Sequence, residues 1–149
     1  MADTVGLKLV FRISGIGFAL PIGSLVEIRE EVQGWLDRSE AAPERGLLGR
    51  LPHRGEMIPV RDLRMGFRLP QSEPQPGELL LVLAKGVHRW GILADAIEGI
   101  FPDAEFRVHP LPWLLASQDS MPYGRVVVRK GEPLVLCEPD MLEACWGAP

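Results

Sequence analysis

The sequence predicts an all-β protein with a short terminal helix, and three observations carry that prediction. Fourteen Pro and sixteen Gly in 149 residues call for frequent turns. Between the turn signals lie short runs rich in branched and aromatic residues, such as Leu9–Ile13, Phe18–Ile22 and Leu79–Leu83. The layout of the first half also returns in the second. Leu25, Val26 and Ile28 fall 72 positions before Ile97, Glu98 and Ile100, and Gly55–Val60 finds an echo in Gly131–Leu136 at an offset of 76. Self-similarity of this kind predicts two similar β-units packed together.

Lys8–Ile13 alternates apolar and polar residues, as a half-buried strand does. Ser14–Gly17 supplies turn chemistry, and Phe18–Ile22 returns as the second arm of a hairpin. Ser24–Arg29 is a third extended piece, with Leu25, Glu27 and Arg29 on one face and Val26 and Ile28 on the other. Glu30–Arg50 reads as a long loop around Trp35 and Leu36. Gly55 then opens a strand through Met57, Ile58 and Val60, closed by Asp62. Pro59 has no N–H to give a ladder and belongs on an edge strand or at a bulge.

Pro70–Gly77 is a polar, Pro-rich connector that divides the chain into two halves, about 7–70 and 77–142, with terminal segments able to cross over. Leu79–Leu83, a turn at Lys85–Arg89 and Trp90–Ala94 mirror the opening hairpin. Pro139–Trp146 carries helix formers, with Asp140 suited to the first turn.

Composition excludes several functions. A formal charge of −4 argues against nucleic acid or an anionic membrane surface as the primary partner. No apolar run approaches the ~20 residues of a membrane span, and Met1–Thr4 lacks the basic start of a secretory signal, so the expected location is the cytoplasm. Cys137 and Cys145 form no disulfide framework. His53, His88 and His109 are too far apart for a metal pair and read as surface or loop residues. Ser117, Asp119 and Ser120 share a polar loop without a nucleophile elbow. Glu27, Asp62, Asp95 and Glu138 each end a strand, where carboxylates cap turns. No catalytic constellation, metal site or cofactor is expected. What remains is surface: Arg50, His53, Arg54, Arg61, Arg64 and Arg68 form a basic cluster, with Arg61 expected to point outward and Leu47, Leu48, Leu51 and Pro52 expected to be exposed beside it.

Several stretches resemble one family in order along the chain. Leu9–Ile13 with Phe18–Pro21 and Val26–Arg29 resembles the opening of CheW-type chemotaxis coupling proteins. Arg54–Arg64 resembles that family's hallmark of an Arg-Gly turn, apolar residues, Pro and an Asp-Leu-Arg exit. Gly91–Ile100 resembles its second hairpin, and Tyr123–Val126, Leu134–Leu136 and Met141–Leu142 its closing strands and helix. Family members read Gly-x-x-Asn-Leu-Arg-Gly where this chain has Gly49-Arg50-Leu51-Pro52-His53-Arg54-Gly55.

The resemblance implies two SH3-like five-stranded β-barrels on a shared core. It also implies a non-enzymatic adaptor that joins the cytoplasmic tips of methyl-accepting chemoreceptors to a CheA-like histidine kinase, without inserting in the membrane itself. Glu27 and Arg54 match a charged pair at the family's binding surface, and Leu25, Gly49, Leu79 and Ile100 match positions of receptor or kinase contact. Within the family, the alternatives are a regulatory domain detached from such a kinase and a divergent adaptor serving pilus motility or another non-flagellar output. The start at Met1 favours a free-standing chain over the first of these. The alternative from a different class is a small-molecule-binding β-barrel module, which would need an enclosed polar pocket.

Overall fold

Eleven strands, among the described residues, make up nearly all the regular structure. The structure is a computed structural model that describes residues 6–30, 32–66, 78–110, 125–140 and 143. The strands are β1 (Leu7–Ile13), β2 (Ile16–Pro21), β3 (Leu25–Arg29), β4 (Leu47–His53), β5 (Glu56–Arg61), β6 (Leu79–Lys85), β7 (His88–Ala94), β8 (Ala96–Pro102), β9 (Arg107–Pro110), β10 (Arg125–Arg129) and β11 (Glu132–Leu136). One helical turn, α1 (Leu63–Gly66), follows β5.

Three hairpins share a turn device. Ser14–Gly15, Arg54–Gly55 and Lys130–Gly131 each place two successive residues at positive φ, near 50° for the first and near 80° for the second. That backbone matches the twist of an antiparallel ribbon, and the second glycine adopts it without a steric penalty.

The strands form two sheets with one plan. The six-stranded sheet runs β8-β1-β2-β11-β10-β9 and the five-stranded sheet β3-β6-β7-β5-β4. The 72- and 76-residue offsets seen in the sequence map β3 onto β8, and β5 onto β11. The one parallel contact in each sheet is equivalent as well, Phe18 and Ala19 on Val135 and Leu136, and Gly91 and Ile92 on Val60 and Arg61. The isolated bridge Asp37–Arg50 stands where the other sheet has β9 on β10. Counting β8 and β9 as one strand bent at Asp103–Glu105, each barrel has five strands.

The sheets do not divide the chain into 7–70 and 77–142. The opening hairpin β1–β2 joins the closing strands β8–β11, while β6–β7 joins β3–β5. Each half lends its hairpin to the other half's barrel. Burial explains why. Leu9, Phe11, Ile13, Phe18 and Leu20 meet Leu81, Leu83, Trp90, Ile92 and Ala94 in a central cluster. The opposite faces of the same hairpins fill the barrels, Val10 and Ala19 with Phe106, Val127 and Leu134 on one side, and Leu80, Val82 and Leu93 with Leu51, Ile58 and Val60 on the other. A hairpin buried on both faces reads as a continuous apolar run rather than an alternation, as Leu79–Leu83 does. Each large apolar side chain so buried contributes ~1.5–3 kcal/mol.

Pro59 sits inside the five-stranded sheet rather than at its edge, opposite Arg50 on β4 and just before the parallel contact of Val60 with Gly91 begins. Pro139, Asp140 and Glu143 are helical. The rest of the expected terminal helix lies outside the described residues, as do the connector Pro70–Gly77, Arg68, Cys145 and the Ser117–Ser120 loop.

Candidate partner-binding surface

The edges of the five-stranded sheet are β3 and β4, and polar contacts join them. Alternation along β4 turns Leu47, Gly49, Leu51 and His53 inward and leaves Pro52 exposed. His53 is 3% exposed, and its Nε2 lies 2.5 Å from Glu27 Oε1 on β3. One residue pair along, the Arg29 guanidinium donates to the Pro52 carbonyl at 3.1 Å. These side-chain contacts join β3 to β4 beside the backbone bridge of Asp37 on Arg50. Arg54 follows His53 in the turn, exposed and without a hydrogen bond or ion pair among the described residues.

The other five candidate residues divide between structural and surface positions. Glu27 lies at the seam, its side chain 37% exposed. Leu25 packs half-buried against the central cluster. Gly49 is buried at φ 156°, and a Cβ there would meet the Asp37 carbonyl oxygen at 2.4 Å. It admits the close approach of the Asp37–Arg50 bridge and offers no side chain to a partner. Leu79 is half-buried at the start of β6. Ile100 is 50% exposed on β8, in the other sheet, where the repeat makes it the equivalent of Ile28, 40% exposed on β3. The structure thus joins Glu27 with the neighbour of Arg54 and leaves Ile100 on a separate edge.

The basic cluster expected around Arg54 does not form one face. Arg61 and Arg64 are buried, at 4% and 3% exposure, rather than outward; at Arg61 the parallel contact with β7 covers the end of β5. Arg61 donates to the Arg45 carbonyl. Arg50 pairs with Glu40. Leu47 and Leu51 belong to the core instead of the surface, and His53 is not a surface histidine.

Arg64 has a role that the sequence did not disclose. Its guanidinium donates to Asp95 Oδ1 at 2.6 Å and to Ser14 Oγ at 3.2 Å, while its backbone N–H donates to Asp62 Oδ1. Asp95 Oδ2 also accepts from the Ser14 backbone N–H at 2.7 Å. Asp62 and Arg64 leave the five-stranded sheet, Ser14 belongs to the turn of the other sheet, and Asp95 joins β7 to β8. This network, buried at Asp62 and Arg64 and exposed at Ser14 and Asp95, clamps the two barrels. The strand-ending carboxylates read as turn caps are, in two cases, its acceptors.

Elsewhere Arg12 on β1 spans Glu132 on β11, at 2.7 Å, and Glu98 on β8. Glu132 first and Glu98 second hold the guanidinium proton more firmly, and the Arg12 contact holds Glu132 below the usual carboxylate range. Lys85 pairs with Asp140 and with Glu143, which anchors the terminal helical segment on the β6–β7 hairpin and raises the Lys85 pKa, Asp140 being the larger cause.

Burial, with a smaller push from Glu138, raises the Cys137 thiol to about 12, so it is a packing residue rather than a nucleophile. Among the described residues no group of three or more His, Cys, Asp or Glu could hold a metal ion, and no helix is long and apolar enough to cross a membrane. Each barrel is filled by its own apolar cluster.

The fold defines a class: a double β-barrel whose two halves exchange hairpins. The model of the CheW-like domain family matches residues 8–142, and the chain belongs to that family. Among solved structures, the chain is similar to the scaffolding protein TtCheW from Thermoanaerobacter tengcongensis. The two share 16% sequence identity and a TM-score of 0.69, over 89% of this chain and 88% of that one. No curated protein matches the sequence.

Proposed function

We propose that this chain is a non-enzymatic adaptor that couples chemoreceptors to a CheA-type histidine kinase, with the β3–β4 seam as a contact surface. Membership of the CheW-like family over residues 8–142 carries the reading. The surface chemistry supports it. Arg54 stands exposed on a two-residue turn, beside exposed Pro52 and Met57, which face each other across β4 and β5. An arginine flanked by apolar contacts is the composition of a binding hot spot rather than of a solvated face. The partners act at a membrane-associated array, and the chain reaches it through them.

The test is a calorimetric titration of the purified chain with two probes from its own organism, the regulatory domain of the CheA-type kinase and a receptor cytoplasmic tip. Arg54→Ala is expected to weaken binding to at least one of them about tenfold, or ~1.4 kcal/mol, with an unchanged circular dichroism spectrum. Binding of both probes that is indifferent to Arg54→Ala would move the contact away from the seam. Failure of both probes to bind would point to a divergent adaptor with another output, for which the Pro52–His53 departure from the family's Asn-Leu is the motivating feature.

A further inference from the structure

We infer that His53 is a positioning residue: by holding Glu27, it keeps the neighbouring Arg54 unpaired and presents that guanidinium to a carboxylate on the partner. The inference rests on the reading of the seam as a contact surface and names the chemistry that the seam recognises.

Four observations carry it. First, His53 is a poor choice for stability alone. It is almost wholly buried, and its Nδ1 has no hydrogen-bond partner among the described residues, a cost that an apolar side chain of similar size would avoid. Second, its one polar contact is the 2.5 Å bond to Glu27 Oε1, so the benefit of a histidine here lies in what it does to Glu27. Third, Glu27 is the natural competitor for Arg54, because its carboxylate sits at the side chain preceding Arg54 and remains partly open to solvent.

Fourth, the other charged groups around His53 are engaged. On β3, Arg29 is bound to the Pro52 carbonyl, and on β5, Glu56, opposite His53 in the ladder, approaches Arg89 on β7 at 3.9 Å. Arg54 is left as the exposed cation of the seam. It is held in a two-residue turn, so little backbone freedom is lost when it binds. Exposed Pro52 and Met57 beside it fit a partner that carries an apolar side chain next to its carboxylate.

The experiment compares three variants in two assays. His53→Leu removes the hold on Glu27 while filling the site. His53→Gln keeps an N–H that can donate to Glu27. His53→Leu with Glu27→Gln removes the competing charge altogether. In the titration with the kinase regulatory domain, His53→Leu is expected to bind up to about fivefold more weakly, the reach of an exposed ion pair formed within the free chain. His53→Gln should bind more tightly than His53→Leu, and so should the double variant. In the second assay, the Arg54 Nε–H resonance of the free chain should move in His53→Leu and return in the double variant.

Parent-like binding and an unmoved Arg54 resonance in folded His53→Leu would overturn the inference. Equal weakening in all three variants would also overturn it, since that marks packing rather than positioning. An Arg54→Ala variant that binds normally would count against the contact surface alone. The Arg54 resonance, which needs no partner, would then decide the role of His53.

Discussion

The two barrels are built on one plan, yet they close differently. In the six-stranded sheet only Asp103–Phe106 separates β8 from β9, and the chain itself carries one edge round to the other. Side chains merely pin that corner. Arg129 stacks 3.5 Å from the Phe101 ring centroid and bonds Glu105, while Lys8 pairs with Asp103 beside the Phe106 ring. In the five-stranded sheet Glu30–Gly46 lies between β3 and β4, far too long to fix the edges by itself. There the backbone bridge of Asp37 on Arg50 brings that segment onto β4, and His53, Glu27 and Arg29 add side-chain contacts between the edges. A closure made by a short covalent link leaves the surface with routine ion pairs. A closure through a single bridge and side chains puts a part-buried polar pair next to solvent, where it can also serve recognition.

The largest predicted effect tests whether the barrels are equivalent beneath that difference. Ile58 and Leu134 occupy matching positions, one inside each barrel, both 2% exposed. Ile58→Asp and Leu134→Asp each bury an unpaired carboxylate and are expected to cost more than ~4 kcal/mol. Because the hairpins are exchanged and share the central cluster, either change should abolish the whole folding transition in thermal denaturation. A variant that keeps half the transition would show the barrels to be independent units.

Next in size is the clamp between them. Arg64→Ala leaves Asp62 buried without its cationic partner, a loss of ~3–5 kcal/mol where both charges are desolvated. Arg64→Lys keeps the charge without the forked geometry that reaches Ser14 and Asp95 together, so it should fall between. Denaturant midpoints rank the three chains. Equal midpoints for Arg64→Ala and the parent would show that apolar packing alone fixes the barrels.

The six-stranded sheet also has its own pH signature. Glu132 titrates below its ordinary range because Arg12 bonds its charged form. A depressed carboxylate contributes stability that is present above its unfolded pKa and is lost as the pH falls through the folded value. Acid should therefore cost the parent more than Glu132→Gln below about pH 4.5, the ordinary value for the group. Melting points from pH 6 down to about pH 3 measure it, and parallel curves would remove Arg12–Glu132 as a contributor.

How much of this was legible follows from what each residue depends on. The hairpins, their glycine turns and the doubled layout were legible, because turn chemistry and strand periodicity are local. The exchange of hairpins was not, since which sheet a hairpin joins depends on its second buried face. Leu79–Leu83 carries the hint as an unbroken apolar run. The burial of Arg61 is hidden for a related reason: alternation gives the face of a strand but not what lies over that face, and Arg64 lies past the strand, where alternation says nothing. His53 was within reach. Its alternation with Leu47, Gly49 and Leu51 turns it inward, and an inward histidine needs a polar partner. The binding candidates divide likewise. Gly49 serves the backbone, Leu25 the core, and Glu27 and Arg54 the seam, a distinction that a family resemblance does not supply.

The smallest effect separates recognition from folding most sharply. Arg54 and Lys130 are equivalent first residues of equivalent turns, with the same φ of 50°, a conformation costing a residue with a side chain about 1 kcal/mol. Glycine relieves that strain but gives the unfolded chain more freedom, so the two terms nearly offset, to within about 0.5 kcal/mol. Arg54→Gly and Lys130→Gly should therefore have nearly the same melting point as the parent and as each other. Binding to the kinase regulatory domain should distinguish them, with Arg54→Gly weakened as Arg54→Ala is and Lys130→Gly unaffected. Equal losses would place the contact on a feature that both turns share rather than on the Arg54 guanidinium.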